Sequence, residues 1–190
     1  MNMTPHPSSV KIDRIAAGGS PLPDIQKYIA ANGSSIGELL SARFSIRTLA
    51  EAERLSTMLA CHCPNPERTA PGIWELLANA IEHGNLGIPF EEKTRLLREG
   101  TFHSEVQRRL DLTPYRERRV LVEFDRGAAS ISIVITDQGD GFDFMTALET
   151  DWTIDLPNGR GIAIASRLSF DTLAYKGSGN CVEATISVPA

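Results

Sequence analysis

The chain predicts an α+β fold: a two-layer sandwich in which a mixed, largely antiparallel sheet carries helices on one face. Three observations predict it. Apolar residues alternate with polar ones at Ala42-Phe44-Ile46, Val120-Val122-Phe124 and Ile131-Ile133-Ile135, the pattern of strands with one buried face. Residues 170–175 and 182–188 form a second pair of strand-like runs around Gly177-Ser178-Gly179-Asn180, a strong hairpin signal. Helical patterns fill the intervals, in the order strand, helices, two strands, helix, two strands, which suits helices gathered on one face of a sheet.

The elements follow in order. Residues 1–40 are punctuated by Pro5, Pro7, Gly18, Gly19, Pro21, Pro23, Gly33 and Gly37. They read as a partly ordered N-terminal extension with a short helix over 24–31. Residues 41–190 form the main domain. After the first strand, Thr48 and Glu51 make a capping box that opens a helix reaching Cys61. Pro64 and Pro66 end it. The next helix starts at Arg68 or Ala70 and runs to His83, with Gly84 as its C-terminal cap. Residues 89–112 read as two helices broken at Gly100, inside an insertion of about 88–117. A hairpin over Gly127 delivers Asp137 into a loop. Residues 143–158 are acidic and irregular, and 161–168 read as a helix.

Bulk properties narrow the function. The 190 residues carry a formal net charge of -5, which argues against nucleic acid as the main partner. No stretch approaches the ~20 apolar residues of a membrane span. Residues 1–9 lack the basic start and apolar run of a secretory signal. A reducing cytoplasm is the expected compartment, in keeping with an odd number of cysteines. Cys61-His62-Cys63 is spaced too tightly for a zinc knuckle and reads as a helix end that holds thiols.

Three segments carry chemistry. Glu75 and Asn79 are four apart and share one face of a mostly apolar helix, with Ile73, Leu77, Ala80 and Ile81 on the other side and Leu76 at its border. Asn79 offers a neutral oxygen to a hard cation such as nucleotide-bound magnesium, which needs only one or two protein oxygens. Glu75, one turn earlier, is placed to act as a general base; both residues could instead cap or pair with neighbouring loops. Asp137 follows a buried strand, and its carboxylate can accept from the exocyclic amine of adenine. Gly139 and Gly141 would let the backbone approach base and ribose, although Asp-x-Gly-x-Gly also arises as a plain strand-ending turn. Gly159-Arg160-Gly161 precedes a helix start, where free N–H groups and the helix dipole favour an anion such as a triphosphate. Arg160 adds charge there or is a solvated helix-start arginine. His83 reads as a helix-end residue favoured by the dipole rather than as a catalyst.

Taken together, the segments resemble the histidine-kinase-like ATPase superfamily (Bergerat fold) over residues 42–188. Residues 75–83 resemble its N box, 137–141 its first Gly box and 159–161 its second. The likeness is nearest to the anti-sigma-factor serine kinases of bacterial partner switching, which have a Glu-x-x-x-Asn-Ala-Ile-x-His-Gly N box. The resemblance implies ATP and Mg2+ as cofactors, Glu75 as general base, Asn79 as magnesium ligand and Asp137 as reader of adenine, with Gly139 and Gly141 beneath the base. It implies Gly159, Arg160 and Gly161 at the phosphates, residues 143–158 as an ATP lid, and Thr185 as an aid to adenine binding. It also implies a sigma factor or its antagonist as protein partner, and dimerisation through the first strand and helix.

Two functions follow from the resemblance. One is an ATP-dependent serine/threonine kinase acting on an antagonist protein. The other is an ATP-gated protein-binding module, or a detached two-component output domain, with little phosphotransfer. A histidine kinase is disfavoured, since no helical phosphoacceptor region precedes the ATPase-like part; gyrase-, chaperone- and mismatch-repair-type ATPases are disfavoured because they need further domains. The insertion departs from the family pattern. Arg95, Arg98, Arg108, Arg109, Arg116, Arg118 and Arg119 are interleaved with acids there, as a solvated, salt-bridged surface or as a docking surface for an acidic partner.

Overall fold

A computed structural model describes residues 37–141 and 168–189. The expected helices over 24–31 and 161–168, the loop over 143–158, and Gly159, Arg160 and Gly161 lie wholly or almost wholly outside the described residues. Five strands form one sheet: β1 (Ser41–Ile46), β2 (Val120–Arg126), β3 (Ser130–Thr136), β4 (Thr172–Lys176) and β5 (Cys181–Ser187), in spatial order β1-β2-β3-β5-β4. Every pairing among them is antiparallel, so no parallel pair occurs among the described strands. The helices are α1 (Leu49–Cys61), α2 (Pro66–Asn79), α3 (Phe90–Glu99) and α4 (Phe102–Asp111). The fold is α+β.

Alternation explains the layers. Val120, Val122 and Phe124 of β2, Ile131, Ile133 and Ile135 of β3, and Val182, Ala184 and Ile186 of β5 are buried on one face. They join Leu55 and Leu59 of α1 and Ile73, Leu77 and Ile81 of the next helix in one core. Phe124 is fully buried; truncating such a residue to alanine costs about 3–5 kcal/mol. The opposite face is polar: Arg43 pairs with Glu123, and Glu183 accepts from Ser132 and pairs with Lys176. No helix among the described residues is long and apolar enough to cross a membrane.

Local signals place the helix starts. Thr48 and Glu51 form the reciprocal capping box of α1. Helix α2 begins earlier than expected, at Pro66, because Asn65 caps it by accepting from Arg68 N at 3.1 Å and Pro66 tolerates the first turn. Pro66 thus opens α2 rather than only closing α1. At its other end α2 does not stop at a glycine cap. It widens into a π-helical turn over Ala80–Asn85, marked by Leu86 N donating to Ile81 O at 2.8 Å, five residues back. Gly84 lies inside this turn without a positive φ, and Gly87 (φ +59°) and Gly100 (φ +69°) take left-handed conformations. Helices α3 and α4 are integral to the domain: Leu96, Phe102, Val106 and Leu110 join the same core.

Candidate functional site

The site lies where the end of α2, the loop after β3 and the β4–β5 turn meet. Glu75 and Asn79 share the expected stripe, and Asn79 Nδ2 donates to Glu75 Oε1 at 3.3 Å. That donation leaves the Asn79 carbonyl oxygen as an acceptor for another partner. Burial pushes the Glu75 carboxyl above the usual range; the Lys93 ammonium opposes this, the Glu82 charge reinforces it, and the hydrogen bond from Asn79 opposes it further. Glu82 is itself buried and pairs with Lys93 of α3 at 2.5 Å. His83 lies in the last turn of the helical run, as expected of a helix-end residue, but it is largely buried there. Its Nδ1 donates to Ile88 O at 2.5 Å, and burial pulls its pKa down, so the ring is neutral.

Asp137 is fixed from three sides. Its N–H donates to Asn180 O at 3.0 Å, Asn180 Nδ2 donates to its carbonyl at 3.3 Å, and Gly139 N donates to its Oδ1 at 2.8 Å. The Oδ1 bond leaves Oδ2 to accept from a ligand. Burial raises the Asp137 carboxyl, against the Gly139 N–H and the charge of Arg118. Tyr175 of β4 stands near both acids: burial raises its hydroxyl, and the charges of Glu75 and Asp137 raise it further.

Close approach, not helix capping, is what Gly84 supplies. A Cβ there would lie 2.3 Å from Asp137 Cγ. A Cβ at Gly139 would lie 2.4 Å from Gly84 O, and one at Gly141 (φ +83°) 2.1 Å from Ser178 O. The two loop glycines therefore admit neighbouring backbone on the side a Cβ would occupy. Asn85 completes the junction: its Oδ1 accepts from Gln138 N at 2.8 Å, and Gln138 Oε1 accepts from Arg119 N at 2.7 Å.

Arg109 of α4 and Arg118, just before β2, hold the same turn. Arg118 Nη1 donates to Asn85 O at 3.1 Å and Gly84 O at 3.5 Å, and the guanidinium lies 5.4 Å from the Tyr115 ring centroid. Arg109 Nη1 donates to Leu86 O at 3.0 Å and Gly87 O at 2.7 Å. Its other nitrogens reach Glu92 bidentately at 2.7 and 2.8 Å and Glu105 at 2.7 Å. Arg109 and Arg118 are thus inward-facing, unlike the solvated surface open to them in the sequence. Arg95, paired with Glu99, and Arg108, paired with Glu105, do lie outside.

Thr185 does not join this group. It sits on β5 between Ser132 and Thr172 in register, on the face opposite Val182, Ala184 and Ile186. The polar residue of that hairpin that meets Asp137 is Asn180, which the sequence alone does not single out; pairing its Gly-Ser-Gly-Asn turn with the end of β3 points to it. Nor does the sequence single out Gly84, Asn85, Tyr175 or Lys93 as site residues. The thiols stand apart: Cys61 ends α1, and buried Cys63 donates to Leu59 O at 3.4 Å. No group of three or more His, Cys, Asp or Glu that could hold a metal ion occurs among the described residues.

These donors fit a magnesium-bound adenine nucleotide. One neutral amide oxygen, a carboxylate beside it and a second carboxylate with a free oxygen across the junction are the groups such a ligand uses. A model of the histidine kinase-like ATPase domain matches residues 47–186. No curated protein matches the chain.

Proposed function

The chain belongs to the histidine kinase-like ATPases, an ATP-binding family, and on that premise we propose that it is a serine/threonine protein kinase that phosphorylates an antagonist protein in sigma-factor partner switching. The observation that carries the reading is the Glu75–Asn79 pair on one stripe of α2, facing a site whose other wall is Asp137. Asn79 would hold Mg2+ through Oδ1 together with phosphate oxygens; the ion, when bound, neutralises charge on those oxygens. Asp137 Oδ2 accepts the adenine amine. Glu75, its pKa raised by burial, takes the proton from the acceptor hydroxyl. The hydroxyl oxygen bonds to the γ-phosphorus as the bond to ADP breaks.

The test is transfer of labelled phosphate from Mg-ATP to antagonist proteins encoded nearby. Label on a serine or threonine with wild type, and none with Glu75→Gln, supports the kinase. Failure to label any antagonist sinks it.

A second reading is favoured by the grip of the inserted helices on the turn after Asn79 through Arg109. The chain would then be an ATP-gated binding module. Here Glu75→Ala leaves partner binding intact while removal of ATP changes it, and partner binding indifferent to ATP counts against the module.

A further inference from the structure

Four successive carbonyls, those of Gly84, Asn85, Leu86 and Gly87, accept from two guanidinium groups, Arg109 of α4 and Arg118 just before β2. Carbonyls at a helix end have no intrahelical donor and are commonly satisfied by a following glycine turn. Here arginines distant in sequence do that work, so the path of the turn depends on α4 and the stretch before β2. The turn matters because Gly84 packs directly on the Asp137 carboxyl and its oxygen abuts Gly139.

We propose that Arg118 is a positioning residue for base recognition: from the stretch just before β2 it fixes the Gly84–Asn85 carbonyls on which Asp137 and its loop are seated. Arg109 fixes the next two carbonyls. Helix α4 and that stretch therefore frame the base pocket, and a protein that shifts them shifts the affinity for adenine. This rests on the reading of the site as an ATP site.

Geometry and charge act together. Arg118 reaches both carbonyls through one nitrogen, Nη1, while its guanidinium plane lies over the Tyr115 ring; an ammonium stacks on that ring less well and so is held less firmly. The Arg118 charge also favours ionised Asp137 against burial. Among the described residues, the other groups acting on the Asp137 carboxyl are the Gly139 N–H and the neutral Tyr175 hydroxyl, while the Asn180 amide holds the Asp137 backbone carbonyl. Arg118 is the cation in that set.

The experiment measures adenosine and Mg-ATP affinity by calorimetry and NMR titration across pH 4–8, for wild type, Arg118→Met and Arg118→Lys. In Arg118→Met both affinities fall roughly tenfold at pH 7, because both ligands use the base pocket. Its acid midpoint for loss of binding moves up by a measurable fraction of a pH unit. Arg118→Lys keeps the midpoint near wild type and recovers only part of the affinity. A merely structural arginine lowers thermal stability without moving the midpoint, and that result overturns the proposal. So does unchanged adenosine affinity in Arg118→Met. Should Arg118→Met not fold, Arg118→Lys decides: wild-type adenosine affinity with lysine removes the role claimed for the stacked guanidinium. A folded wild type that binds neither ligand overturns the ATP reading itself, a different outcome from wild-type binding that ignores Arg118.

Discussion

Gly84 and Asp137 touch without a side chain between them: a methyl group added at 84 would stand 2.3 Å from Asp137 Cγ and 2.4 Å from its Oδ1. Fifty-three positions separate them in sequence, yet each defines the other's place. Gly84→Ala must displace the carboxyl or the turn, at a cost of about 1–3 kcal/mol. The expected outcome is a folded protein, less stable by that amount in thermal denaturation, with adenine-nucleotide affinity reduced tenfold or more by calorimetry. Wild-type affinity in Gly84→Ala would show that the contact is irrelevant to the ligand.

Asp137→Asn separates stability from binding. Burial holds the folded carboxyl above its ordinary value of 3.8. A group raised in this way binds more protons folded than unfolded. Its contribution to stability is complete below that value and is lost as pH rises through the folded pKa. An amide cannot ionise, so the variant should be at least as stable as wild type at pH 7. Nucleotide binding runs the other way, because only the ionised acid accepts from the adenine amine without competing as a donor. Mg-ATP affinity should fall at least about tenfold at pH 7, and wild-type affinity should fall on acidification from above pH 4. Binding that is flat with pH in wild type counts against the role of Asp137.

Arg109→Met strands two carboxylates and two carbonyls. Loss of the donor from this part-buried network leaves charged acceptors unpaired and costs about 1–3 kcal/mol. Denaturation should show a loss of that size, and hydrogen exchange should show faster opening of residues 86–88. Glu105 adds an acid signature. Its Arg108 and Arg109 hydrogen bonds hold its pKa down to about 2, from 4.5. A depressed acid stabilises above its unfolded value, and that share is lost as pH falls from 4.5 toward about 2. Most of this acid-sensitive window should vanish in Glu105→Gln.

Cys63 should resist alkylation. Burial pushes its thiol up to about 11, from 9.0, so at pH 8 roughly 1 in 1,000 molecules holds the thiolate. Iodoacetamide should reach half-buried Cys61 and Cys181 first and Cys63 only on unfolding, read by mass spectrometry. The raised pKa also makes stability decline between pH 9 and about 11. Equal labelling of all three native thiols would be the contrary result.

Much of the fold is legible in short stretches. The β2–β3 and β4–β5 hairpins follow from alternation on either side of glycine turns, and the start of α1 from Thr48 and Glu51 alone. The start of α2 was placed late because Asn65-Pro66 reads as the end of one helix as readily as the start of another. The glycines are the instructive case. Gly84 satisfies the local rule for a helix cap, and the same absence of Cβ serves its actual purpose, room for Asp137. Gly139 and Gly141 likewise admit Gly84 and Ser178. Local rules say that a side chain is not wanted; they do not say what takes the space.

By itself, then, the order of residues determined what depends on neighbours within a turn or two: the strand faces, the caps, and the alignment of Glu75 with Asn79. Tertiary structure decided what each of these meets. It set Asp137 against Gly84, gave Asn180 rather than Thr185 to the acid, and turned Arg109 and Arg118 inward. The physical reason is range. Periodicity and capping are satisfied by bonds between residues a few positions apart, whereas a buried carboxylate or orphan carbonyl takes whatever donor the packed chain brings beside it.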